Sequence, residues 1–157
     1  MLNFIITDKN NKHDFTTYRE FIKLLDIKEL QEEREASVLL QDNLCTILFC
    51  EKSEDFYSII TIGDPHYGCG AITNLFFTKN NDSKNITFAI LQTLLYGFFS
   101  LSLYRVKLVL PRSQGAIAQH CNLLGFKTKT INDNYVMTID VLSHYARKLI
   151  TKYDIEY

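Results

Sequence analysis

The chain has 157 residues, of which 46% are apolar and 22% charged, with only 6 Gly and 2 Pro. That length and composition support a hydrophobic core without metal or disulfide staples and exclude a disordered chain. The net charge of -1 excludes the surplus of Lys and Arg on which a general nucleic-acid binder depends.

No linker-like stretch interrupts residues 1–157, so one domain is expected. Residues 1–8 read as a short strand. Thr17 and Glu20 fit a capping box that opens a helix. Phe15, Tyr18, Phe21, Ile22 and Leu25 give that helix one apolar stripe. A second helix is expected over 28–40, with the acidic-rich patch 28–35 as a solvated face.

The period then changes. Residues 44–50 and 56–62 are apolar, β-branched and aromatic runs that predict a hairpin around the turn 52–55. Gly63, Pro65 and Gly68 predict a loop over 63–68, and 71–77 reads as another strand. A polar stretch, 78–85, leads into the mostly apolar run 86–103. Thr87, Gln92, Thr93, Ser100 and Ser102 interrupt that run, and it is short for a membrane span. It predicts a buried amphipathic helix, and no membrane partner is expected.

Residues 105–110 predict a strand stopped by Pro111. Ser113 or Gln114 opens a helix to Leu124, with Gly125 at its C-terminal cap. Strands are expected over 126–131 and 135–141, joined by a turn at 132–134, and a helix over 142–152 closes the chain. The order is β-α-α-β-β-β-α-β-α-β-β-α. It predicts an α/β (α+β) fold: a mixed, mostly antiparallel central sheet of about six to seven strands, flanked by helices on both faces.

Cys45, Cys50, Cys69 and Cys121 lack metal-ligand spacing, and the first dozen residues do not read as a secretory leader. Reduced thiols in the cytoplasm and no metal site are therefore expected. His66 and Cys69 form an H-x-x-C pair in a glycine-flanked loop, where a nearby His lowers a thiol pKa. Zinc would need two more ligands, and none is spaced nearby. His66 is the candidate substrate-side base of this loop, against the plainer reading of an incidental loop histidine.

Three motifs in the second half carry a family resemblance. Leu103-Tyr104-Arg105-Val106-Lys107-Leu108-Val109 is a strand entry. Ala116-Ile117 followed by Leu124-Gly125-Phe126 is a helix and strand. Asn85-Ile86-Thr87-Phe88-Ala89-Ile90 is a helix start. Over about 70–140 these resemble the GNAT (Gcn5-related N-acetyltransferase) superfamily, nearest in look to the ribosomal-protein alanine N-acetyltransferase branch. The resemblance implies acetyl-CoA or another acyl-CoA as co-substrate, its pyrophosphate at a helix N-terminus.

The phosphate loop implied by that resemblance falls on Asn81, Asp82, Ser83, Lys84 and Asn85, with Lys79 beside it. The family's small-residue positions are Lys84 and Ile86, so no glycine lets backbone approach a phosphate closely. Pantetheine would run along Phe76, Phe77 and Thr78, with Gln114 at the start of the following helix. The family's general acid maps two ways. Counting back from Gly125-Phe126 gives Cys121, and counting forward from Ala116-Ile117 gives His120. Asn74 stands on the strand where some relatives carry a Glu base, and an amide cannot take that role.

The function implied is N-acyl transfer to an amine by direct attack, the acceptor being a small molecule or a protein. Two alternatives remain. One is an acyl-carrier-protein donor. The other is a non-catalytic binding or regulatory module, for which a homodimer through apolar strands is one form.

Overall fold

The computed structural model describes residues 2–7, 12–78 and 83–155. One seven-stranded sheet organises them: β1 (Leu2–Thr7), β2 (Cys45–Glu51), β3 (Phe56–His66), β4 (Cys69–Phe77), β5 (Arg105–Pro111), β6 (Lys127–Ile131) and β7 (Asn134–Ile139). Its strand order is β1-β2-β3-β4-β5-β7-β6. Only β4 and β5 run parallel; the other neighbours are antiparallel, as the element order predicts.

The helices are α1 (Lys12–Leu25), α2 (Glu33–Asp42), α3 (Ser83–Leu95), α4 (Gly115–Leu124) and α5 (His144–Lys152). Strand alternation sorts them between two cores. Leu48, Cys50 and Ile59 face α1 and α2, packing with Tyr18, Phe21, Ile22 and Leu40. Ile47, Phe49, Ile60, Val106 and Leu108 face the other way, against Ile90, Leu94, Cys121 and Ala146 of α3, α4 and α5. None of the described helices is long and apolar enough to cross a membrane.

Four local expectations are corrected. The first helix begins at Lys12, not Thr17, so Thr17 and Glu20 lie inside α1 and are not its capping box. The expected helix 28–40 divides into a 3-10 turn, Lys28–Leu30, and α2, which runs to Asp42. The loop expected over 63–68 is mostly strand. Tyr67 and Gly68 both have positive φ, 50° and 78°, which makes a two-residue type I′ turn. That tight turn lets β3 continue to His66, with Pro65 in a stretch of shifted register where no regular ladder bond is asked of it. The helix expected over 86–103 stops as α-helix at Leu95 and widens into a π-helical turn, Tyr96–Ser100. There the backbone of Gly97 nestles against Ile62, Leu103 and Val106.

Candidate functional site

The sheet opens between β4 and β5. Their pairing runs from Cys69↔Arg105 to Ile72↔Leu108 and goes no further. Both strands continue, each still bonded on its outer side. β4 reaches Phe77 against Ser58 of β3, and β5 reaches Pro111 against Asn134 of β7. Two strand edges therefore diverge from a vertex at Ile72 and Leu108.

The register of β4 on β3 gives the cause. Thr61 pairs with Asn74, but the next residue, Ile62, pairs with Ile72. Thr73 is the extra residue of a β-bulge, which bends a strand and re-aims its side chains. Two successive side chains consequently point to the same face. Thr73 Oγ1 lies 2.6 Å from Thr61 Oγ1, and Asn74 Nδ2 donates to Thr61 Oγ1 at 2.9 Å. The bend falls one residue past the last β4–β5 pair.

On the α2 face of the bulge is a cavity of about 500 Å³. Glu35, Asp42 and Asn43 line it from the α2 side, with Thr73 and Asn74 as its floor, and no Lys or Arg is among its lining residues. Glu35 and Asp42 lie seven residues apart, two turns along one helical face. Thr73 Oγ1 donates to Asn43 Oδ1 at 2.5 Å, tying the bulge to the end of α2.

On the opposite face stand the first turns of α3 and α4. The backbone N–H groups that open a helix have no acceptor within it. The Asn85 side chain is buried and donates to Glu54 Oε2 at 2.5 Å, which anchors the start of α3. Thr78 clips the end of β4 to β3: its Oγ1 accepts from the Tyr57 N–H at 2.7 Å and donates to the Tyr57 carbonyl at 2.9 Å. Phe76 packs toward α1 and α2, whereas Phe77 lies 6.3 Å from Phe56, stacked on the α3 side. Gln114 is exposed at the N-cap of α4. Lys79, Asn81 and Asp82 lie outside the described residues, as does the Ser83 side chain.

The two α4 candidates for the general acid face different surroundings. Cys121 is fully buried, and burial pushes its thiol up to about 12, so it keeps its proton. His120 is half-buried on the flank of α4 toward α3, its Nδ1 3.1 Å from Thr87 Oγ1. Burial holds its pKa below the ordinary histidine value, so the ring is neutral at pH 7. His66 is exposed and packed against Tyr67 at the other end of β4. It precedes Cys69, and β4 from Cys69 to Phe77 spans roughly 26 Å at 3.3 Å per residue, so His66 stands at the opposite end of that strand from the first turn of α3, which Asn85 anchors to Glu54.

Three features of the site have no counterpart in the sequence reading. One is the Glu35/Asp42 cavity, whose only trace is a seven-residue spacing of acids. Another is Tyr135 on β7, facing the same side as Leu110, with its hydroxyl 3.8 Å from where a Cβ on Gly115 would sit. Its trace is the alternation Tyr135, Met137, Ile139. The third is the placement of Lys84 of α3 and of Arg147 and Lys148 of α5 around one cavity.

No family model matches the sequence, and no curated protein does. Solved structures do match. A probable acetyltransferase from Staphylococcus epidermidis is 14% identical, with a TM-score of 0.66, over 90% of this chain and 99% of its own. A variant of the spermidine N-acetyltransferase SpeG from Vibrio cholerae is 13% identical, with a TM-score of 0.63, over 88% and 92%. FdhC, a nucleotide-linked sugar GNAT, is 8% identical, with a TM-score of 0.67, over 98% and 93%.

Proposed function

For a chain that has the fold of the GNAT acetyltransferases, we propose an N-acyltransferase that moves an acetyl or other acyl group from an acyl-CoA thioester to an amine. The observation that carries this reading is the parting of β4 from β5 beyond Ile72 and Leu108. An extended arm bearing amides suits such an opening, because strand edges recognise extended chains through main-chain hydrogen bonds. Phe76, Phe77 and Thr78 would border the arm. The segment 79–85, including Asn81, Asp82, Ser83 and Lys84, would meet the pyrophosphate at the start of α3. There helix N–H groups and the dipole favour an anion without the glycines that other phosphate loops use.

The acceptor would enter from the α2 face. Glu35 and Asp42 favour a cationic amine, and Asn43, Thr73 and Asn74 supply neutral hydrogen-bond partners. A polyamine fits that lining, in keeping with the spermidine N-acetyltransferases among similar structures. The ribosomal-protein resemblance would put a protein N-terminus there instead; the paired carboxylates favour the polyamine.

In the reaction an amine held at that face first loses a proton to solvent water. The nitrogen lone pair attacks the thioester carbonyl, the C–N bond forms and the C–S bond breaks. The departing thiolate takes up a proton from its donor, and the further proton that the nitrogen sheds as it becomes an amide restores that donor through solvent. Tyr135, with its hydroxyl at the start of α4, is the donor this reading assigns; a neutral His120 and a buried Cys121 are left to packing. We place the reaction in the cytoplasm, where the four cysteines stay free.

The test is release of free thiol from acetyl-CoA with spermidine as acceptor, followed with purified chain and with Tyr135→Phe. Acceptor-dependent thiol release, slowed about 100-fold or more in Tyr135→Phe, is the expected result for loss of a general acid. Absence of both turnover and acetyl-CoA binding would return the chain to the non-catalytic alternative.

A further inference from the structure

The floor of the acidic cavity carries a hydrogen-bond relay whose direction is fixed bond by bond. It starts at the Leu39 carbonyl of α2, which can only accept. The Asn43 amide atom 2.6 Å from that carbonyl is therefore Nδ2, which leaves Oδ1 facing Thr73. Thr73 Oγ1 has one hydrogen and gives it to Asn43 Oδ1 at 2.5 Å; the Thr61 carbonyl, at 3.4 Å, is the poorer acceptor. Thr61 Oγ1, 2.6 Å from Thr73 Oγ1, is then the donor of that pair. With its own hydrogen committed, Thr61 Oγ1 can only accept from Asn74, so the amide atom 2.9 Å away is Nδ2.

The relay leaves Asn74 Oδ1 on the outer side of its amide. Among the described residues no donor reaches that oxygen, and it is open to solvent in the cavity. Two features hold the relay in place. Thr61 is fully buried, where an unsatisfied hydroxyl is costly. Gly63 leaves room for the Asn43 amide, since a Cβ there would lie 2.6 Å from Asn43 Oδ1 and 3.2 Å from Thr73 Cγ2. A side chain at position 63 would push the Asn43 amide aside and take the acceptor from Thr73.

We propose that Asn74 is the specificity-determining residue of this cavity, its fixed Oδ1 selecting a primary or secondary ammonium over a fully alkylated one of the same charge. Glu35 and Asp42 attract both kinds of cation through charge, and charge alone does not tell them apart. An acceptor aimed in one direction does, because only an N–H can meet it. Thr61, Thr73 and Asn43 act through Asn74 as positioning residues. The proposal rests on the reading that the acceptor amine enters from the α2 face.

The test is equilibrium titration of the whole chain, without acetyl-CoA, with spermidine and with spermidine methylated at every nitrogen to quaternary ammonium. The methylated form keeps the charge and has no N–H. The wild type should bind spermidine roughly tenfold or more tightly than the methylated form, the size of a hydrogen bond from a charged donor. In Asn74→Ala the ratio should fall to within about twofold. That variant also enlarges the cavity, so two others leave Asn74 in place and break only the relay. In Thr73→Val and in Gly63→Ala the amide is free to turn over, and the ratio should fall as well. Thr73→Ser keeps the hydroxyl and should restore it. A wild type that binds both cations alike, or neither, would overturn the proposal, as would a ratio unmoved by Thr73→Val and Gly63→Ala. Thiol release from acetyl-CoA with spermidine is followed in parallel. Release from an unselective cavity would sink this inference and leave acyl transfer standing. A selective cavity without release would do the reverse.

Discussion

Ile72 and Leu108 are the last facing residues of the parallel pair β4–β5, and the bulge at Thr73 begins one residue beyond them. The same bulge turns Thr73 and Asn74 together toward α2. One extra residue thus does two things. It lies where β4 parts from β5, and it floors an acidic cavity beside that opening.

The acidic cavity makes a kinetic prediction. In Glu35→Gln/Asp42→Asn, the KM for spermidine should rise about tenfold or more, with kcat within about twofold, because carboxylates that only hold the acceptor contribute uniform binding. Both side chains are exposed, so the unfolding midpoint should hardly move. An unchanged KM would remove the acceptor from this face.

His120 makes a pH prediction. Burial lowers its pKa in the folded chain, so the unfolded chain takes up the proton first as pH falls. Stability from this group is full above the ordinary histidine value of about 6.5 and is lost as pH drops through it toward the lower folded value. The unfolding free energy of the wild type should therefore decline from pH 7.5 to 5.5 more steeply than that of His120→Gln. Parallel declines would mean that His120 does not titrate differently on folding.

The cysteines separate by burial. Cys45, Cys50 and Cys121 are buried, Cys69 is half-exposed, and the thiols of Cys45 and Cys121 are pushed up to about 12. The native chain at pH 8 should show one fast-reacting thiol by a chromogenic disulfide reagent, and the denatured chain all four. Loss of the fast phase in Cys69→Ser would identify it. Two or more fast thiols would mean that a core opens readily.

Gly125 ends α4 at φ 121°, and a Cβ there would lie 2.8 Å from the Val141 carbonyl oxygen and 2.9 Å from the Ser143 nitrogen. Both neighbours are backbone, so they cannot step aside. Gly125→Ala should cost about 1–3 kcal/mol in denaturant unfolding. An unchanged midpoint would show that the α4–α5 junction yields.

Much of the fold was legible because period and punctuation carry it. The stripe Tyr18, Phe21, Ile22 marks α1, the β-branched and aromatic run 56–62 marks β3, and Gly125 marks the end of α4. What misled was local. Gly63 and Pro65 read as loop because sequence does not reveal that Tyr67 and Gly68 suffice for the turn. Thr17 and Glu20 read as a cap because a polar helix start upstream leaves no apolar trace. The site was less legible for a different reason. Glu35 and Asn74, or Lys84 and Arg147, meet only through the tertiary fold, and the Thr73 bulge depends on register, which no single strand encodes. The resemblance pointed to the start of α3, and it had nothing to say about α5.

The most direct measurement is hydrogen exchange across β4 with and without saturating acetyl-CoA. If the opening beyond Ile72 and Leu108 receives the donor's extended arm, amides within residues 73–78 should exchange more slowly in its presence, while those of β1 and β6 stay unchanged. If acetyl-CoA binds and 73–78 exchange as before, the donor lies elsewhere and the central claim is contradicted.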